Sequence, residues 1–335
     1  MSQIQIREVT TDEAGLRLDR WFKQHFPGLG FGHLQKLVRT GQVRVDGARV
    51  KTATRLEPGQ SVRIPPLGAA TGAQPEAMSP RPTNIKSASD EEALASMMLY
   101  EDKALYVFNK PAGLAVQGGS GTKRHVDGML EALRDRKGQK PRLVHRLDKD
   151  TSGVLVVAKT RLAASHLAKA FRARATKKIY WALVKGVPRP NQGRISTYLA
   201  KQTGENSEKM GVSRHGDPDA DHALSLYNVV EASGRSLAWI TLRPITGRTH
   251  QLRVHCEHIG HPIIGDPKYF DVENWELPGG IQNRLHLHAR RLIIPHPDGS
   301  QVDVSAPLPP HMQQSWNLLS FDLDRFMDAE EMDED

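Results

Sequence analysis

His145-Arg-Leu-Asp-Lys-Asp-Thr-Ser-Gly153, followed at once by Val154-Leu-Val-Val-Ala158, is the stretch on which the reading of this chain turns. A charged cluster carrying Arg146 and Asp148 passes through a Ser-Gly turn into an apolar, β-branched run that predicts a buried strand. A loop at the mouth of such a strand holds a carboxylate at a fixed place while the side chain faces a cleft. A lone Asp in a loop is ordinarily a turn former; this setting makes Asp148 a candidate for chemistry instead.

Outward from that strand, residues 96–320 predict a mixture of strands and helices. Strands are expected at Leu105–Phe108, Lys178–Val184, Ala223–Val230, Ser236–Arg243, Leu285–Ile294 and Gln301–Val304, with helices at Val126–Arg136, Arg161–Ala175 and His250–Ile259. The strands come in runs without regular βα alternation. That order argues for an α+β domain on a largely antiparallel mixed sheet, not a doubly wound fold.

Residues 1–66 predict a separate basic unit. Leu16, Leu18, Trp21 and Phe22 are spaced to line one helical face, and His33–Arg39 forms a second amphipathic helix stopped by Gly41. A strand pair over Gln42–Val50 turns at Asp46-Gly47, and Ser61–Ile64 adds a last strand. Cations outnumber acids in this unit. Residues 67–95, rich in Gly, Ala and Pro, read as a flexible linker, and the acidic residues 321–335 as a disordered tail.

The 335 residues suffice for about two domains, and 38% apolar with 25% charged residues is ordinary globular composition. A formal net charge of +8 points to a polyanionic partner. The single cysteine, Cys256, rules out an internal disulfide framework; no run of 18 apolar residues is present, and MSQIQIREVT has no basic stretch followed by an apolar one, so neither secretion nor membrane spanning is expected. A soluble cytoplasmic protein is expected. His250, His255, His258 and His261 surround Cys256 but match no CxxC or HExxH spacing, so no metal site is expected.

The string HRLDKDTSG resembles, nearly letter for letter, the catalytic motif of the RluA family of RNA pseudouridine synthases, whose nucleophile falls here on Asp148. Three further segments match that family in its own order: Asn109-Lys-Pro-Ala-Gly113, Lys178-Ile-Tyr180 and Gly247-Arg-Thr-His-Gln-Leu-Arg-Val-His255. A tyrosine on an apolar strand is by default a core residue. The resemblance instead implies that Tyr180 is an active-site tyrosine and Arg253 the arginine beside Asp148. It further implies that Arg146 fills the space left by an extruded base, and it sets His145, Arg248 and His250 among the residues that meet RNA. The order of residues 1–66 resembles the small RNA-binding domain named after ribosomal protein S-four, with Arg17, Lys36, Arg39 and Arg44 as expected RNA contacts.

The implied reaction turns uridine into pseudouridine within RNA, with large-subunit ribosomal RNA the expected substrate and partner. The bond from nitrogen 1 of uracil to the sugar breaks, the base turns, and carbon 5 takes the sugar. An attacking carboxylate in a shielded pocket needs a guanidinium to offset the cost of burying its charge. Asp148 has three routes open: attack on the anomeric carbon, addition to the base, or abstraction of a sugar proton. No external atom enters or leaves, so no cofactor is expected; a monomer is the default for docking on a large RNA. Extruding the target nucleotide costs a few kcal/mol. Rival readings are a synthase acting on transfer RNA, a non-catalytic ribosome-assembly factor of the same fold, and a nucleoside hydrolase. The last ordinarily needs a second carboxyl group to protonate the leaving base.

Overall fold

A computed structural model of the chain describes residues 4–10, 13, 15–26, 28–67, 85–119, 122, 124–136, 138–202, 209–270, 275–323 and 325. The chain divides into a smaller unit, Met1–Ala88 with Thr160–Leu162, and a larger one, Ser89–Lys159 with Ala163–Asp335.

The smaller unit runs β1 (Gln5–Glu8), α1 (Leu18–His25), α2 (Phe31–Arg39), β2 (Arg44–Val45), β3 (Ala48–Arg49) and β4 (Ser61–Ile64). Its four strands pair antiparallel in the order β1-β4-β2-β3. Leu18, Trp21 and Phe22 of α1 and Leu34, Leu37 and Val38 of α2 are buried against Val45, Val62 and Ile64 of the sheet. The apolar spacing of both helices is thus spent on one shared core. The hairpin turns at Asp46-Gly47 as expected, and Asp46 Oδ1 accepts the Ser61 amide at 2.7 Å, tying the turn to β4. Its strands hold only two residues each, shorter than the Gln42–Val50 run suggested.

The reading of 67–95 as a flexible linker needs correction at its end, because Ile85–Ser96 is a helix, α3. Leu94, and Met97 just beyond it, are buried in the larger unit's core, and that burial fixes the segment. Residues 68–84 lie outside the described residues, as do 324 and 326–335 of the acidic stretch 321–335.

The larger unit continues β5 (Met98–Glu101), β6 (Leu105–Lys110), α4 (Val126–Met129), β7 (Arg142–Leu143), β8 (Ser152–Ala158), α5 (Arg161–Arg172), β9 (Lys177–Lys185) and β10 (Gln192–Lys201). Then follow β11 (Met210–Ser213), β12 (Asp221–Ser233), β13 (Leu237–Pro244), α6 (Gln251–His258), β14 (Leu287–Pro295), β15 (Gln301–Ser305) and α7 (Pro310–Leu319). These strands make a mixed sheet of order β11-β10-β12-β13-β9-β14-β8-β6-β5, with β15 on β14 and β7 on β8. The β8–β14 pair is parallel and the other described pairs are antiparallel. The helix expected over Val126–Arg136 stops after one turn at Met129 and tightens into a 3-10 turn over Leu130–Leu133. Gly128 weakens its interior, and the Asp135–Gly138 turn follows directly.

Strand β8 is buried along its whole length. Val154 and Val156 face Ala163, Leu167 and Ala170 of α5, while Leu155 and Val157 face Phe108, Leu94 and Leu130. Cover on both faces explains the continuous apolar run. Among the described residues no helix is long and apolar enough to cross a membrane.

Candidate active site

The segment His145–Thr151 crosses from β7 to β8 and is fixed at both ends. His145 Nε2 accepts the Val156 amide at 2.8 Å, and its ring stacks on Phe171 with centroids 4.5 Å apart. Burial, then the nearby Lys178, push that imidazole down to about 3, so it is neutral at pH 7. His145 therefore spends its ring on the sheet and on Phe171. At the other end Gly153 has φ 110°, and a Cβ there would lie 2.2 Å from the Ala289 carbonyl oxygen. Only glycine lets β14 approach β8 at the point where the loop enters the sheet.

A third support comes from the segment 109–113. Lys110 is fully buried, and its ammonium donates to the carbonyls of Pro111, Leu114 and Lys149 at 2.9, 2.8 and 3.0 Å. Gly113 N also donates to Lys149 O at 2.9 Å. Burial pushes the Lys110 ammonium down to about 7, against the opposing pull of Asp150 and Asp148.

So held, Asp148 projects into a cavity of about 320 Å³, within the usual size of small-molecule sites. Tyr180, Arg253, His250, Arg146 and Arg248 line the same cavity. Arg253 Nη1 donates to Asp148 Oδ2 at 3.3 Å. The guanidinium is itself gripped in two places by the buried Asp266: Nε to Oδ2 at 2.7 Å and Nη2 to Oδ1 at 2.6 Å. Its plane also lies over the Tyr269 ring, 5.1 Å from the centroid. Burial works against the Arg253 charge, but the hydrogen bonds and field of Asp266, and then of Asp148, more than reverse this and raise its pKa. Tyr180 Oη is pushed well above the usual phenol range, first by burial and then by the Asp148 charge, so it keeps its proton at neutral pH.

Helix α6 delivers Arg253 from its buried face. Its entry is locked by Gln251, whose Oε1 accepts from Thr246 Oγ1 and Arg248 N while Nε2 donates to Leu224 O and Ser225 Oγ. His250 sits at the helix N-cap in the left-handed region, φ 52°. Its Nδ1 lies 2.9 Å from Tyr269 Oη and its Nε2 3.9 Å from Asp148 Oδ2.

The structure thus brings together Asp148, Tyr180, Arg253, Arg146, Arg248 and His250, all expected from sequence. Arg146 is exposed at the rim, and Arg248 donates to Asp221 Oδ2 and His222 O at 3.0 and 3.1 Å. In the smaller unit, Lys36 and Arg39 are exposed on α2, whereas Arg17 is engaged with Asp19 and Arg44 with the carbonyls of Gly41 and Gly47. Among the other histidines, His255 bonds to Ser225 and Thr197, His286 to Ser315, and His288 to Ser152, so these pack in the sheet and its helices. Lys110, Asp266 and Tyr269 were not anticipated individually. Gly265-Asp266-Pro267 reads in sequence as an ordinary turn, and nothing local announces that its carboxylate reaches Arg253.

Residues 104–258 match the family model described as RNA pseudouridylate synthase. The chain is 38% identical over 311 residues to ribosomal large subunit pseudouridine synthase C of Escherichia coli (strain K12), covering 91% of this chain and 93% of that one. It is 36% identical over 388 aligned residues to RNA pseudouridine synthase 4, mitochondrial, of Arabidopsis thaliana, covering 92% and 80% of the two chains. The structure of human RNA pseudouridylate synthase domain containing 4 superposes with a TM-score of 0.59 at 31% identity, over 70% of this chain and 97% of that one. Together with three motifs lining one cavity and a fourth, Asn109–Gly113, supporting its loop through Lys110, these likenesses establish that the chain belongs to the RluA family of RNA pseudouridine synthases.

Proposed function

We propose that the protein isomerises uridine to pseudouridine in large-subunit ribosomal RNA, with Asp148 as the nucleophile. The observation that carries this reading is the Asp148 carboxylate facing the cavity against the buried, twice-gripped Arg253 guanidinium, with Tyr180 on the same wall. An ion pair of this kind holds a carboxylate ready for attack where water is largely excluded. Tyr180 offers a ring face for a pyrimidine and a hydroxyl that stays protonated. Arg146, exposed at the rim, is suited to take the place of the extruded nucleotide in the RNA stack. The reaction has no net gain or loss of atoms or electrons and so calls for no cofactor.

Large-subunit ribosomal RNA is favoured over transfer RNA by the relatives named for that substrate, at 35–38% identity. Among the described residues the cavity is lined by one carboxylate, Asp148, and the nearby Asp266 is buried against Arg253. A hydrolase built on paired carboxyl groups would need a second one facing the base. The helix pair and basic hairpin of the smaller unit fit an S-four-type RNA-binding head, with Lys36 and Arg39 presented outward. The protein is assigned to the cytoplasm, acting as a monomer.

The test is pseudouridine mapping of total RNA from cells with and without the protein, complemented by the unaltered chain or by Asp148→Asn. Large-subunit sites are expected to vanish and to return only with Asp148 present. Loss confined to transfer RNA would overturn the substrate, and rescue by Asp148→Asn would overturn the nucleophile.

A further inference from the structure

The isomerisation, on the reading above, cannot end when the new carbon–carbon bond forms. Carbon 5 then carries both its original hydrogen and the sugar, and nitrogen 1 is doubly bonded to carbon 6. Completion breaks the C5–H bond. Its electron pair forms the C5=C6 double bond, the former C6=N1 pair moves onto nitrogen 1, and nitrogen 1 takes up a proton. One proton is lost and one gained, so the product is an isomer. Some group at the cavity must accept the first proton.

Few lining groups are suited to it. Arg146, Arg248 and Arg253 are guanidiniums with no lone pair to offer at neutral pH. Tyr180 keeps its own proton. Asp148 is committed earlier in the reaction. The geometry points to His250 as the acceptor of the uracil C5 proton, acting through Nε2, with Tyr269 as the residue that positions it.

Three observations converge. Nε2 lies 3.9 Å from Asp148 Oδ2, at the wall where the base must turn. Nδ1 is 2.9 Å from Tyr269 Oη, which is itself bound to the Met210 backbone: it receives that residue's amide at 2.9 Å and lies 3.2 Å from its carbonyl. When the hydroxyl donates to Met210 O, Nδ1–H donates to the hydroxyl and Nε2 is left as a free base. Finally, the backbone holds His250 at φ 52°, a left-handed conformation that a histidine adopts at a cost and that aims its ring at Asp148 instead of along the helix. The charged groups around the ring are Asp148, Arg253, Lys268 and Asp266. Burial, helped by Arg253 and Lys268 and opposed by the two carboxylates, lowers the imidazole from its usual value, which keeps it neutral and able to accept at pH 7.

The test uses full-length protein and two transcripts of large-subunit ribosomal RNA, one made with uridine and one with 5-deuteriouridine. Pseudouridine formation is followed in single turnover. His250→Gly, suited to the left-handed backbone, is expected to slow the reaction by about 100-fold or more. It should also show a primary deuterium isotope effect larger than that of the unaltered protein, and be partly rescued by added imidazole. Tyr269→Phe keeps the ring under Arg253 and removes the hydroxyl; it is expected to give a smaller slowing with the same kind of isotope effect. An unaltered isotope effect in both variants, or in Tyr269→Phe alone should His250→Gly not fold, would overturn the assignment. Failure of the unaltered protein to form pseudouridine on either transcript would instead overturn the proposed substrate.

Discussion

The Arg253–Asp266 pair offers a perturbation in which stability and activity should part company. Both side chains are buried, and two hydrogen bonds of 2.7 and 2.6 Å join them. Removing one partner of such a pair costs about 3–5 kcal/mol, because the other charge is left without compensation. Arg253→Met strands the Asp266 carboxylate, which still accepts the amides of Lys268 and Tyr269 at 2.9 and 3.2 Å. Asp266→Asn strands the guanidinium, with Asp148 at 3.3 Å as its remaining anion. Added together the single changes would cost roughly 6–10 kcal/mol. The double variant removes both charges, fills the space with a methionine, and leaves an asparagine oxygen to accept the same two amides. It is therefore expected to lose no more stability than either single change, a strong coupling in a double-mutant cycle. Activity should not follow. Asp266→Asn retains the arginine but loses its aim, and a displacement of about 1 Å at such a group costs on the order of 100-fold in rate. The double variant, though better folded, has no guanidinium beside Asp148 and should be at least as slow. Urea unfolding gives the stabilities, and single-turnover pseudouridine formation gives the rates. Additive losses of stability, or recovered activity in the double variant, would refute the view that Asp266 acts by holding Arg253 in place.

Other outcomes follow from neighbouring parts of the molecule. Gly153→Ala would put a Cβ 2.2 Å from the Ala289 carbonyl oxygen at a φ of 110°, so a loss of about 4 kcal/mol or more is expected; a milder loss in urea unfolding would mean that β8 and β14 separate easily. Burial pushes His255, His286 and His288 down to about 4, below the unfolded value, so the unfolded chain binds more protons between about pH 6.5 and 4. Stability should fall as pH drops through that window, by roughly 2 kcal/mol per histidine at pH 5 relative to pH 7.5, and His288→Gln should flatten the dependence; an unchanged slope in that variant would refute this origin. Replacing Lys36 and Arg39 by glutamine should reduce the slope of log affinity for RNA against log salt by roughly 0.7–0.9 for each charge that meets a phosphate; an unchanged slope would show that α2 does not touch RNA.

Much of this architecture is legible in the chain because it rests on local pattern. The β8 run is apolar throughout, and the helices of the smaller unit carry apolar residues at helical spacing, so burial could be read from neighbours in sequence. The catalytic candidates were legible for another reason: each lies in a contiguous motif. What escaped depends on distance in sequence. Asp266 is separated from Arg253 by a turn, and Lys110 reaches the carbonyl of Lys149 across 39 positions. Helix α3 went unread because its anchors, Leu94 and Met97, are few and follow a long stretch without apolar period. Helix α7 was missed although Pro310 at its first turn is a known start signal, since its buried Met312 and Trp316 are a single pair spaced by four.

The unanticipated residues also explain why the Asp148 loop can be polar and yet rigid. A segment containing Arg146, Asp148, Lys149 and Asp150 has little apolar surface of its own to bury. Its order has to come from groups outside it. His145 binds the backbone of β8 from before the loop, Gly153 admits β14 after it, and the Lys110 ammonium draws in the Lys149 carbonyl from below. Each of these supports acts on backbone or on the loop's ends, leaving the Asp148 carboxylate to be met by Arg253 alone among the described arginines. Asp148 is thereby held by contacts that, apart from the Arg253 ion pair, leave its carboxylate oxygens unoccupied by the supports of the loop. A site that must receive a base, release it, let it turn and rejoin it is served by that kind of support, because further contacts to the carboxylate beyond its ion pair would compete with the base at each step.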